Sequence, residues 1–144
     1  MFVKQLSVFI ENRKGRLEQV TEVLREHNIN IVSLSLADTN EYGLLRMIVS
    51  DPEAAKNCLK DEGYSAMLTN VIAVCLPHEV GVLQRMLKLL SEAELNVEYM
   101  YALTTRGDNG AMIIKTSNPE VAAQAILDGG MKLYTSEEAY TINE

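Results

Sequence analysis

The chain repeats itself. Shifted back by 66 residues, Gly81 falls on Gly15, Leu83 on Leu17, Leu90 on Leu24 and Asn96 on Asn30. Residues 105–110 form a turn one residue longer than its counterpart, so beyond it the shift is 67. There Gly110 meets Gly43, Ser117 meets Ser50, Pro119 meets Pro52, Glu120 meets Glu53, Ala122 meets Ala55, Asp128 meets Asp61 and Gly130 meets Gly63. Caps, prolines and stops recurring in one order restrict the chain to a single small module built twice. Its 144 residues allow one domain or two small ones. Modules are therefore expected over residues 1–69 and 70–144.

The pattern inside the first copy gives the module. Residues 3–10 alternate, with Leu6, Val8 and Ile10 on one face and Gln5, Ser7 and Phe9 on the other, as in a half-buried strand. Leu17, Val20, Val23 and Leu24 then recur at helical spacing. His27-Asn28 ends that helix, because Asn tolerates the left-handed conformation of a C-terminal cap. Residues 31–37 read as a strand, 39–43 as a hairpin turn and 44–50 as a third strand. Asp51 can cap the next helix, and Pro52 suits its first position, where no N–H is needed. Ala54, Ala55, Cys58 and Leu59 form its apolar face, Gly63 stops it, and residues 64–68 read as a fourth strand. Thr69-Asn70 is expected to separate that strand from residues 71–76, which open the second copy. Two copies joined so closely are expected to pack as one unit.

In the second copy Leu83, Met86, Leu87 and Leu90, then Val121, Ala122, Ala125 and Ile126, repeat the helical faces. Residues 131–134 read as its last strand, and Ser136-Glu137-Glu138 as the cap of a terminal helical turn. The order is strand, helix, strand, strand, helix, strand. With right-handed crossovers this gives an α+β fold of two ferredoxin-like βαββαβ modules, each an antiparallel sheet with helices on one face.

Two stretches stand out within the repeat. Glu11-Asn12-Arg13-Lys14-Gly15-Arg16-Leu17 and Pro77-His78-Glu79-Val80-Gly81-Val82-Leu83 each lead from a strand through a glycine turn into a helix. Such a turn offers free backbone N–H groups at a helix start, where an anion can be held. Gly15 permits a left-handed turn, and the N–H groups near Gly15, Arg16 and Leu17 suit a carboxylate. Asn12 supplies both an acceptor and donors. The first loop carries Arg13, Lys14 and Arg16; the second carries Glu79, Val80 and Val82, with His78 in place of Asn12. The first loop is thus the expected carboxylate site, and His78 would add pH sensitivity to the second. Plainer readings exist: the glycines only make the turn, Asn12 only caps, Arg13 and Lys14 are solvated charges, and Met86, Met100 and Met112 fill core.

Composition narrows the function. A net charge of −7, with no basic stripe, argues against a nucleic-acid partner. The longest apolar run, near residues 71–76, is too short to span a membrane. The start shows no signal-peptide pattern, so a cytoplasmic location is expected. Cys58 and Cys75 lack CxxC spacing and read as buried thiols. No histidine cluster suggests a metal, and no Ser–His–acid or Cys–His set suggests a catalytic residue. No cofactor is expected.

The residues also resemble a known family. Asn12-x-x-Gly15-x-Leu17, followed by a helix and Asn30-Ile31, is similar to the ligand-binding signature of the ACT domain. His78-x-x-Gly81-x-Leu83 with Asn96-Val97 resembles a second, altered copy. The resemblance covers nearly the whole chain, as a tandem pair without an attached enzyme. It implies a non-catalytic sensor that binds an amino acid at the module interface and regulates a partner enzyme of amino-acid metabolism, as a homo-oligomer such as a dimer. It also implies that Asn30 and Asn96 contribute from a neighbouring domain, Asn12 with Asn96 in one pocket and His78 with Asn30 in the other. The alternatives are an interaction or dimerisation module without a ligand, and a small acylphosphatase-like hydrolase, whose glycine spacing is absent.

Overall fold

The structure, a computed structural model, describes residues 2–38 and 41–144. Residues 39 and 40 of the expected hairpin turn lie outside them. In chain order the elements are β1 (Val3–Glu11), α1 (Arg16–Glu26), β2 (Ile31–Asp38), β3 (Tyr42–Val49), α2 (Pro52–Asp61), β4 (Ser65–Leu76), α3 (Val82–Glu92), β5 (Val97–Leu103), β6 (Gly110–Thr116), α4 (Pro119–Asp128) and α5 (Ser136–Thr141). They fall into two units, Lys4–Thr69, and Asn70–Glu144 together with the N-terminal residues through Val3.

In the first unit the strand order is β2-β3-β1-β4. β3 runs antiparallel to both neighbours, pairing Leu6 with Met47 and Leu34 with Met47. Alternation places Leu6, Val8, Ile10, Leu45, Met47 and Val49 under Val20 and Leu24 of α1 and Ala55, Cys58 and Leu59 of α2, in one buried cluster. Both helices therefore cover the same face of the sheet. Asp51 caps α2, its Oδ1 accepting the Ala54 N–H at 3.1 Å, with Pro52 at the first helical position. Asn28, at φ 57°, ends α1 in the left-handed region, as its side chain permits.

The second unit repeats this with β4-β6-β5. Ile72, Val74, Leu76 and Ile114 pack under Met86 and Leu90 of α3 and Ala122, Ala123 and Ile126 of α4. Each unit is thus an antiparallel sheet with its helices on one face, the tandem ferredoxin-like arrangement.

Several details depart from the sequence reading. β4 runs unbroken through Thr69 and Asn70, because polar side chains at exposed or half-exposed positions do not by themselves stop a strand. The last strand of the second copy is reduced to a single antiparallel bridge, Val74 with Leu133, flanked by Cys75 N–H to the Lys132 carbonyl at 2.9 Å and Tyr134 N–H to the Ala73 carbonyl at 2.8 Å. It stops there because Thr135, not Ser136, caps α5, in a reciprocal capping box with Glu138. Gln5 and Ser7, expected on the exposed face of β1, are buried, and Gln5 Nε2 donates to Ser7 Oγ at 3.1 Å.

Candidate functional site

The two glycine loops share one backbone. After β1, Arg13 N–H donates to the Glu11 carbonyl at 2.8 Å, Arg16 N–H to the Arg13 carbonyl at 3.3 Å, and Gln19 N–H to the Gly15 carbonyl at 3.1 Å. After β4, Glu79 N–H donates to the Pro77 carbonyl at 2.8 Å, Val82 N–H to the Glu79 carbonyl at 3.4 Å, and Arg85 N–H to the Gly81 carbonyl at 2.9 Å. Gly15 (φ 86°) and Gly81 (φ 88°) both occupy the helix N-cap in the left-handed conformation, which no L side chain adopts cheaply. Neither can supply a capping side chain. The first helical N–H turns back into the loop at Arg16 and at Val82, so Arg16 is not the open donor the sequence suggested. The N–H groups next in line belong to Leu17 and Glu18 in one copy, and to Leu83 and Gln84 in the other.

The side chains around these loops differ. Arg13 Nε lies 2.9 Å from Glu11 Oε2 and Arg16 Nη2 lies 3.2 Å from Glu11 Oε1, so one carboxylate bridges both arginines and offsets one of their two charges. Arg16 Nη1 also donates to Gln19 Oε1 at 3.2 Å. Asn12 N–H is bonded to the Glu41 carbonyl at 3.0 Å. The cleft beside this loop, lined by Ile10, Glu11, Asn12, Arg13, Leu17, Leu36 and Gly43, measures only about 80 Å³. Its counterpart beside His78, Glu79 and Val80 measures about 680 Å³. That cleft is completed by Leu76 and Pro77, by Ala102, Leu103 and Thr105 at the end of β5, and by Gly110, Ala111 and Met112 at the start of β6.

Of the residues singled out by sequence, the structure gathers Asn12–Leu17 at one loop and His78–Leu83 at the other. Asn30-Ile31 and Asn96-Val97 do not join their own copy's loop. β2 pairs Ile31 with Val49 at its start and Asp38 with Gly43 at its end. Asn30 therefore stands a strand's length, roughly 25 Å, from the loop beside Gly43. There its N–H donates to Ser50 Oγ and its carbonyl accepts the Ser50 N–H, each at 2.9 Å. Leu36, Gly43, Ala102, Leu103, Thr105, Ala111 and Met112 were missed as lining residues. The signal that could have found them is the repeat, read for mismatches and not only for matches.

Two further cavities border the first copy. A groove of about 380 Å³ along α1 is walled by Glu18, Glu22, Glu26 and Glu62, which repel a carboxylate. A cavity of about 310 Å³ lies on the other side of Glu11 and Arg16, among Phe9, Tyr42 and Tyr64. Among the described residues no three His, Cys, Asp or Glu side chains gather to hold a metal ion. Among the described residues no helix is long and apolar enough to cross a membrane. Burial pushes the Cys58 thiol up, away from the reactive thiolate. Burial, followed by the hydrogen bond with Cys75, pushes the Tyr134 phenol up to about 12.

Residues 1–142 match the family described as an ACT domain pair. The chain is similar to protein BT0572 from Bacteroides thetaiotaomicron, at 35% identity over 98% of this chain and 97% of that one, with a TM-score of 0.92. It shares its fold with the regulatory subunit of aspartate kinase from Thermus thermophilus, at 16% identity, 88% and 91% coverage and a TM-score of 0.64. The subunit from Thermus flavus gives 18%, 88% and 92%, and 0.61.

Proposed function

The chain belongs to the ACT domain family, as a pair of such domains, and we propose that it is a non-catalytic regulatory protein that binds a free amino acid at a glycine loop. The observation that carries this reading is the loop of the second copy. Its residues His78, Glu79 and Val80, which lead into the uncapped start of α3, line a 680 Å³ cleft, within the range of small-molecule sites, about 300–1,000 Å³. The α-carboxylate would meet the Leu83 and Gln84 N–H groups, where the helix dipole contributes about 0.3–1 kcal/mol. His78 and Glu79, both exposed at the rim, would meet the polar end of the ligand.

Binding becomes regulation only if the ligand favours one of two states of the protein or its partner. The partner class that fits is an enzyme of amino-acid metabolism; the structural relatives with this fold include regulatory subunits of aspartate kinase. Self-association fits the edge strand β2, where Leu34 and Leu36 are 45% and 48% exposed. A ligand-free interaction role is favoured for the first copy alone, by its 80 Å³ cleft.

Calorimetric titration of the full chain against the twenty amino acids tests the reading. Saturable binding of one chemical class, weakened in Gly81→Ala, is expected. Heats at the level of dilution for every amino acid, with the protein folded by circular dichroism, would overturn it.

A further inference from the structure

Because the module is built twice, each cleft serves as the control for the other. Leu36 and Ala102 occupy the same place in the repeat, at the 66-residue shift, and Gly43 and Gly110 correspond at 67. A Cβ added at Gly43 would stand 3.2 Å from Ile10 Cγ1 and 3.3 Å from Leu36 Cδ1, so Leu36 lies over that glycine. At Gly110 the neighbours of such a Cβ are the Leu76 carbonyl oxygen at 3.3 Å and His78 Cε1 at 3.4 Å, and no atom of Ala102 comes within 4 Å. The first cleft, at about 80 Å³, holds no more than two or three waters at about 30 Å³ each. The second, at about 680 Å³, can hold an amino acid.

Resting on the amino-acid reading above, we propose that the second copy alone takes the ligand, that it selects an amino acid with a large uncharged apolar side chain, and that Ala102, where the first copy has Leu36, leaves the space over Gly110 open to it. Leu76, Leu103 and Ala111 of the lining are buried and Met112 is half-buried. The lining contains no lysine or arginine, so an acidic side chain would lose its hydration without gaining a partner. Glu79 is exposed, and ion pairs at exposed positions contribute little, so a basic side chain gains little there either. The Thr105 hydroxyl already donates to the Asn109 carbonyl at 3.0 Å, which removes its proton as a donor for a polar side chain. Each methylene that the ligand buries against this lining strengthens binding about four-fold. A small side chain forgoes that gain.

The test is calorimetry of the full chain with Leu, Met and Phe against Gly, Ser, Lys and Glu, repeated with Ala102→Leu and Ala102→Gly. Amide chemical shifts are followed in the same titrations. One site per chain is expected, with a large apolar amino acid as the strongest ligand. Ala102→Leu should weaken it at least about ten-fold, while Ala102→Gly stays within a few-fold. Shifts should concentrate at Val80, Gly81 and Gly110, with Lys14, Gly15 and Gly43 quiet; this readout holds even if Ala102→Leu folds poorly. A small or charged amino acid as the best ligand, unchanged affinity in Ala102→Leu, or shifts centred on Gly15 would overturn this inference and leave the amino-acid reading standing. Silence from every amino acid would overturn both.

Discussion

The loop after β1 and the loop after β4 have the same hydrogen bonds, the same left-handed glycine and the same helix start, yet one cleft is closed and the other open. The motif that makes the turn is therefore not what decides whether there is room for a ligand. One difference lies on a strand across from the loop: Leu36 stands over Gly43, while Ala102 leaves Gly110 uncovered. Charge does not decide it either. Arg13 and Arg16 share Glu11, yet with Lys14 the first loop keeps a net positive charge beside its small cleft. The second loop, which looks poorer in sequence, has the larger and more apolar space. A repeat preserves backbone geometry because the fold depends on it, while lining side chains are free to drift apart.

The largest effects test whether the two copies are equivalent where packing demands it. Leu24 and Leu90 correspond in the repeat and are 0% and 1% exposed. Leu24→Ala and Leu90→Ala should each lose about 2–5 kcal/mol in urea denaturation, by similar amounts, through lost burial and a residual cavity. A loss under 1 kcal/mol at either position would break the equivalence of the cores.

Next come the turn glycines. A Cβ meets nothing within 4 Å at Gly15 or Gly81, so the cost of alanine is purely the left-handed backbone, about 1–2 kcal/mol at each. Gly15→Ala and Gly81→Ala should thus match in thermal and chemical stability but differ in ligand binding, which only Gly81→Ala should weaken. Equal binding losses would mean that the first loop is used as well.

Gly129 tests a place where the copies solve one contact differently. The first copy has Glu62 and Val23 there; the second has Gly129 and the larger Leu89. A Cβ at 129 would come within 2.5 Å of both Leu89 Cδ atoms. Gly129→Ala should cost about 1 kcal/mol, the low end for overpacking, since a half-buried leucine can swing aside. Leu89→Val should relieve most of it. Additive losses in the double variant would show that Leu89 is not the obstruction.

Much of this was legible in the sequence because it depends on neighbours along the chain. Asp51-Pro52, Asn28, Gly63 and the paired glycine turns announce themselves locally, and alternation with helical spacing identifies the core from Leu6 to Ile126. What sequence alone could not give depends on neighbours across the sheet. Leu34 and Leu36 follow the same alternation as buried residues, yet are half exposed because β2 is an edge. Thr69-Asn70 resembles a break, yet continues β4. The open cleft arises where β5 and β6 meet a loop some 20 or more residues distant, so no local motif marks it.

The finest comparison concerns the caps of α2 and α4. Asp51 Oδ1 accepts the Ala54 N–H at 3.1 Å, and Asn118 Oδ1 accepts the Val121 N–H at 3.2 Å. The backbones agree closely, at φ −141° and −139°, and a proline follows each. The two caps differ in charge alone. Asp51→Asn keeps the acceptor but removes a negative charge from the positive end of the helix dipole, and should cost about 0.3–1 kcal/mol at low salt. Asn118→Asp should gain a similar amount. Both effects should fade at 1 M salt, where the screening length falls to about 3 Å. Equal stability curves at low and high salt for Asp51→Asn would assign any loss to the hydrogen bond itself, and the two caps would then differ in acceptor strength and not in their interaction with the dipole.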